Sequence, residues 1–129
     1  MPNVRIEVKR SWPSERQQQL IEAVHAAMVE ALKIPQHDKL LRFVEHRPEH
    51  FVSPPGTSEN FTLVEITLFF GRSLEAKRKL YQGIVRRLGE FGVEAKDIKV
   101  VLYEVPMDNW GIRGGVPASE VDLGFKVNV

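Results

Sequence analysis

The chain states one structural plan twice, with the copies offset by about sixty residues, and this repetition restricts its fold more than any other feature. In the first copy "VRIEVK" alternates apolar and charged residues, so Val4, Ile6 and Val8 share one face of an extended strand and Arg5, Glu7 and Lys9 the other. The segment "SWPSE" then carries helix-start signals: Ser11 as N-cap, Pro13 in the first turn and Glu15 near the positive end of the helix dipole. Leu20, Val24, Met28 and Ala31, with Ile21 and Leu32 beside them, recur at steps of three and four, which predicts an apolar helix stripe ended by Pro35. "KLLRFVEH" predicts a second strand, closed by Pro48.

The second copy repeats the order. "FTLVEITLFFG" predicts a strand, and "RSLEAKRKLYQGIVRRLGEFG" a helix with Ser73 as N-cap, Glu75 in its first turn, the stripe Leu80, Ile84, Leu88 and Phe91, and Gly92 as its stop. "DIKVVLYEV" predicts the closing strand before Pro106. Single positions correspond as well: Ile6 with Ile66, Leu20 with Leu80, Val24 with Ile84, Asp38 with Asp97, and Glu45 with Glu104. A tandem of β-α-β units implies an α/β fold with parallel pairing inside each half, right-handed crossovers, and two helices laid on one face of a four-stranded mixed sheet. The expected organisation is a single domain, 1–129: a first half to about residue 48, a loop connector to about 60, a second half to about 106, and a C-terminal hairpin and strand over 107–129. The last segment, "VDLGFKVNV", alternates and predicts a short strand suited to a neighbouring chain's sheet edge.

Bulk composition removes several classes of function. Eighteen Lys and Arg against seventeen Asp and Glu leave a net charge of +1, which gives no reason to expect a nucleic-acid partner. There is no cysteine, so thiolate chemistry is excluded, and His25, His37, His46 and His50 show no metal-ligand spacing, so they read as surface or packing residues. Without a charged-then-apolar leader or a run long enough to span a bilayer, no membrane partner is expected and the default location is the cytoplasm. Ile66, Leu68, Phe70, Val101 and Tyr103 divide over both faces of the inner strands, and an uncovered apolar face predicts self-association into a closed ring.

A few residues stand out as chemically able. Pro2, directly behind the initiator, reads either as a strand-edge proline or, once Met1 is clipped, as a secondary amine at the end of a buried strand. Such an amine has an ordinary pKa near about 8, and burial or a nearby cation lowers it toward that of a useful base. Arg72, between an apolar strand and the cap Ser73, reads either as a surface loop arginine or as a guanidinium able to hold a carboxylate through a two-pronged hydrogen bond. Trp110 and Arg113 fall in "DNWGIRGG", whose glycines Gly111, Gly114 and Gly115 predict turns or a tight hairpin.

The initial Met-Pro, the β-α-β doublet, "IPQHDKLLRF", "GRSLEAKRKLY" and "DNWGIRGG", in this order over nearly the whole chain, resemble the tautomerase superfamily, and within it the branch that includes malonate semialdehyde decarboxylase. The resemblance implies a homotrimer without a cofactor or metal, acting on a small carboxylate substrate, with the amino-terminal proline as catalytic group. It implies catalytic roles for Pro2, Arg72 and Asp38 and a substrate-binding pocket lined by Trp110, Phe70 and Arg113. A neutral Pro2 suits a tautomerase that moves a proton between enol oxygen and keto carbon, whereas a protonated Pro2 beside Asp38 suits a decarboxylase or hydratase. The decarboxylase branch carries two arginines one residue apart here, and Phe70 stands in place of the first, which argues against malonate semialdehyde as the substrate. The remaining alternative is a trimeric scaffold in which Pro2 only begins a strand.

Overall fold

In the computed structural model, which describes residues 2–129, strand β1 (Asn3–Val8), helix α1 (Ser14–Leu32) and strand β2 (Leu41–Glu45) form the first β-α-β unit. Met1, and with it the expected removal of that residue, lies outside the described residues. The second unit is β3 (Thr62–Phe69), α2 (Leu74–Gly89) and β4 (Ile98–Val105). Strands are parallel within each unit, and β1 and β3 join the units antiparallel, giving the order β2-β1-β3-β4. Two helices on one face of a four-stranded mixed sheet is thus the observed architecture.

The alternation read in the strands is what builds the core. Val4, Ile6, Val64, Ile66 and Leu68 are fully buried and pack against Leu20, Val24 and Met28 of α1 and Leu80, Ile84 and Leu88 of α2. Each such side chain contributes roughly 1.5–3 kcal/mol on leaving water. The starts of the two helices differ. Ser73 caps α2 as expected, its Oγ accepting from the Ala76 N–H at 3.1 Å. In α1 the N-cap is Pro13 rather than Ser11: its backbone, at φ −58° and ψ 146°, already has the extended geometry that position needs. That helix also stops before Pro35 acts, because Lys33 takes a left-handed conformation at φ +58° and its N–H bonds the Val29 carbonyl.

The apolar residues of the inner strands divide over both faces: Ile66 and Leu68 point to the helices, while Val101 and Tyr103 lie on the open face with Arg5, Arg42 and Glu65, Tyr103 donating its hydroxyl to Glu65. That face is therefore amphipathic rather than greasy. Contrary to expectation, residues 121–129 form no strand within the chain. Their alternation serves packing instead: Leu123, Phe125 and Val127 join a second apolar cluster around Phe69, with Trp110, Ile112 and Ala118. The tail ends beside α2, where the Ser73 N–H donates to the Val129 carbonyl at 2.8 Å. Gly71, at φ +126°, lets the tail approach, since a Cβ there would collide with Asn128 Oδ1. The expected hairpin is present as β5 (Gly111–Ile112) and β6 (Val116–Pro117), closed by Arg113, Gly114 and Gly115 at φ +48°, +81° and +98°.

Candidate active site

Strand register brings the sequence candidates to one end of the sheet. Pro2 is buried directly ahead of β1. Because Asn3 pairs with Thr67 across the antiparallel ladder, Pro2 falls beside Leu68 and the turn that leads to Arg72. On its other side the Val4 N–H donates to the Leu40 carbonyl at 2.9 Å, which brings the 38–40 segment alongside. Leu68 is paired in turn with Glu104 of β4. The repeat has thus delivered the amino end, Asp38, Arg72 and Glu104 to a common edge.

Arg72 is only 5% exposed, unusual for a group that carries its charge at any ordinary pH. Its Nη1 donates to the Phe69 carbonyl at 3.3 Å, whereas Nε and Nη2 are buried with no hydrogen-bond partner among the described residues. Burial pushes the guanidinium pKa down, and the charges of Asp38 and Glu104 pull it back up. Glu104 is itself held by Lys77 of α2 at 2.7 Å. The buried Nε–Nη2 edge carries two parallel N–H donors, the geometry that a carboxylate matches with both oxygens.

Asp38 lies in the turn after α1, its N–H donating to the Pro35 carbonyl at 3.0 Å, and is half-buried. It lines a cleft of about 230 Å³ together with His37, Lys39, Arg113, Leu123 and Phe125. Leu123 and Phe125 belong to the cluster that contains Trp110, which packs edge-on to Phe69 at a ring separation of 4.7 Å and donates its Nε1–H to the Val105 carbonyl. Trp110 shares that cluster but does not line the cleft, and neither do Pro2 and Arg72; Arg113 does. Phe70 is 53% exposed beyond the end of β3 and does not line the cleft. Sequence reasoning missed Leu123 and Phe125, and it missed Glu104 with Lys77. The β3–β4 register was the signal that could have placed Glu104 near Arg72.

The matching end of the second unit has a different content. In the repeat, Thr62 takes the place of Pro2, Trp12 that of Arg72, and Asp97, one residue short of the same offset, that of Asp38. Asp97 is clasped by Ser58, whose N–H and Oγ donate to its two oxygens at 2.7 and 2.6 Å, and Trp12 packs edge-on to Phe91. Fold symmetry thus does not extend to the polar groups. Among the described residues no group of three or more His, Asp or Glu side chains converges as a metal site. His25 is a packing residue, fully buried with Nε2 bonded to the Gln36 carbonyl at 2.8 Å. No helix among the described residues is long and apolar enough to cross a membrane.

Two family models described as "Tautomerase enzyme" match the chain, one over residues 38–113 and one over residues 2–56. A probable tautomerase of Bacillus subtilis, YusQ, is 24% identical over 121 residues, covering 89% of this chain and 95% of that protein. A malonate semialdehyde decarboxylase, described with decarboxylase and hydratase activities, superposes with a TM-score of 0.80 at 25% identity, covering 87% of this chain and 92% of that one. A fused 4-OT in a symmetric trimer superposes with a TM-score of 0.77 at 21% identity, covering 90% and 95%.

Proposed function

The chain belongs to the tautomerase enzyme family, and from that premise we propose that it is a cofactor-independent isomerase of small 2-oxo carboxylates that works as a homotrimer. The observation that carries this reading is Arg72: a buried guanidinium whose two-donor edge has no partner among the described residues, on the sheet end where Pro2 is buried. In the proposed reaction Arg72 holds the substrate carboxylate and draws electron density toward it. Pro2, as a free neutral amine after loss of Met1, takes the enol O–H proton and returns it to the carbon that becomes saturated in the keto product. No atom is gained or lost, and one nitrogen serves as base and then as acid. Pro2 is buried and Leu68, its neighbour by register, is fully buried; an apolar setting of this kind disfavours the charged amine and so supports a base.

A second reading has its own observation. Asp38 is close enough to Arg72 for their charges to interact and lies on the segment that flanks Pro2. A carboxylate there favours the protonated amine, which suits decarboxylation or hydration of a 3-oxo or unsaturated acid. Titration of the Pro2 nitrogen by NMR separates the two: a value well below neutral supports the base, one well above it the acid. The enzyme reading itself is tested with Pro2→Ala, which keeps an amine in place. We expect a loss of about 100-fold or more in kcat/KM toward phenylenolpyruvate, the range of a general base. Unchanged turnover would leave only the scaffold.

A further inference from the structure

We propose that Lys77 is a positioning residue of the site, which holds the Glu104 carboxylate away from Arg72 and so keeps the two-donor edge of that guanidinium open to a substrate carboxylate. That role rests on the carboxylate-clamp reading of Arg72 and explains why the clamp does not close on the protein itself. A buried guanidinium with an anion in reach is expected to pair with it, because a two-pronged bond to a carboxylate is among the strongest hydrogen-bonded geometries in proteins. Arg72 has such an anion in reach. Its Nη1 bonds the Phe69 carbonyl, Phe69 and Leu68 are paired with Val105 and Glu104 of β4, and the Glu104 charge acts on the guanidinium, as does that of Asp38 from the turn after α1. Among the described residues Arg72 Nε and Nη2 nevertheless have no partner, while Glu104 Oε1 accepts from Lys77 Nζ at 2.7 Å.

Lys77 is placed for this by α2. It stands one turn from the start of the helix, its N–H bonding the Ser73 carbonyl, and a helical side chain leans back toward the N-terminus, here over the end of β4. The helix dipole gives no reason for a cation at that end. Both partners are largely withdrawn from water, with side-chain exposures of 21% and 25%, so the loss of either leaves a charge that needs another partner. For Glu104 the cation that its charge already meets is Arg72. The repeat supplies an internal comparison. Val8 pairs with Glu45 as Leu68 pairs with Glu104, and the offset of about sixty residues puts Gln17 in the place of Lys77 and Trp12 in that of Arg72. There, where no guanidinium has to be kept open, the neutral Gln17 bonds the Trp12 carbonyl at 2.8 Å and Glu45 is exposed. The ammonium thus accompanies the buried arginine, and a glutamate at the strand end does not by itself require it.

The test follows the Arg72 Nε–H signal of the intact chain by NMR, with phenylpyruvate as the carboxylate probe. In wild type we expect the signal to move downfield and to exchange more slowly with water only when phenylpyruvate is added. Lys77→Met should show the moved signal without the probe, because Glu104 has closed on Arg72, and should bind phenylpyruvate about tenfold or more weakly in a calorimetric titration. Adding Glu104→Gln to Lys77→Met should return both signal and affinity to near those of wild type. Lys77→Ala, which favours the helix, gives the same readout if the methionine variant does not fold. A pair that only ties α2 to β4 predicts otherwise: the Arg72 signal of Lys77→Met would stay where it stands in free wild type, and the double variant would bind no better than the single. Either result overturns the proposal. A wild-type signal that ignores phenylpyruvate overturns the clamp reading and this role with it, whereas failure of the proline base is seen separately, as wild-type turnover by Pro2→Ala.

Discussion

Among the described residues the guanidinium of Arg72 exchanges bulk water for a single hydrogen bond to Phe69, and two of its nitrogens stay buried without a partner. A buried donor left unsatisfied costs about 1–3 kcal/mol, and here the neighbouring charges of Asp38 and Glu104 oppose the desolvation only in part. An interaction that weakens the empty protein but completes itself on a carboxylate is the expected mark of a binding group. Arg72→Met, which keeps much of the volume and removes the charge, should therefore raise the free energy of unfolding from chemical denaturation by about 1 kcal/mol, while lowering kcat/KM by about tenfold or more. Loss of stability together with loss of activity would show that the arginine serves the fold. At this scale the sequence was legible for Pro2, Asp38 and Arg72 because each adjoins a strand whose register follows from the repeat. Arg113 was singled out too, within a glycine-rich segment that forms the hairpin turn, whereas Leu123 and Phe125 were not legible, because they reach the cleft through a segment without regular structure.

Among the elements, the connector between the two units is ordered by a clasp. The Lys9 ammonium donates to Ser53 Oγ, and Ser58 binds both oxygens of Asp97 immediately ahead of β4. Burial alone would raise the Asp97 carboxyl, but the two bonds from Ser58 outweigh it and hold the group below its ordinary value. Because the folded pKa lies below the unfolded value of about 3.9, the stabilisation is complete above about pH 4 and is lost as pH falls through the folded value. Ser58→Ala should accordingly lower the melting temperature at neutral pH, with the gap narrowing on acidification below pH 4; a gap constant with pH would assign the loss to packing. Such clasps join residues 39 apart and leave no local signature, whereas the strands and helices they tie announce themselves through period and caps. α1 shows the limit of cap reading: Ser11 and Pro13 both signal a start, and the proline prevails because its fixed φ already meets the backbone requirement. The tail shows another limit, since alternation alone cannot tell a strand from an irregular segment that buries every second side chain.

For the whole molecule the open sheet face decides most. The helices cover the other face, and on this one Arg42, Arg5 and Glu65 form a row across β2, β1 and β3, with Val101 next to Glu65 on β4. A face that mixes charge with half-buried Val101 and exposed Tyr103 is soluble enough for a single chain yet patterned enough to meet a copy of itself. Phe70, Leu74 and Val52 are also exposed, the last at 95%, and a lone chain gains nothing from leaving them in water. In the proposed trimer, light scattering should return three times the 14.7 kDa of one chain. Val101→Asp places a charge at the centre of the open face without entering the helix-side core, so the variant should keep its circular dichroism while its mass falls to that of one chain. Should it remain three chains in mass, the sheet face is not the contact, and the exposed apolar residues at Phe70 and Leu74 become the surface on which subunits meet.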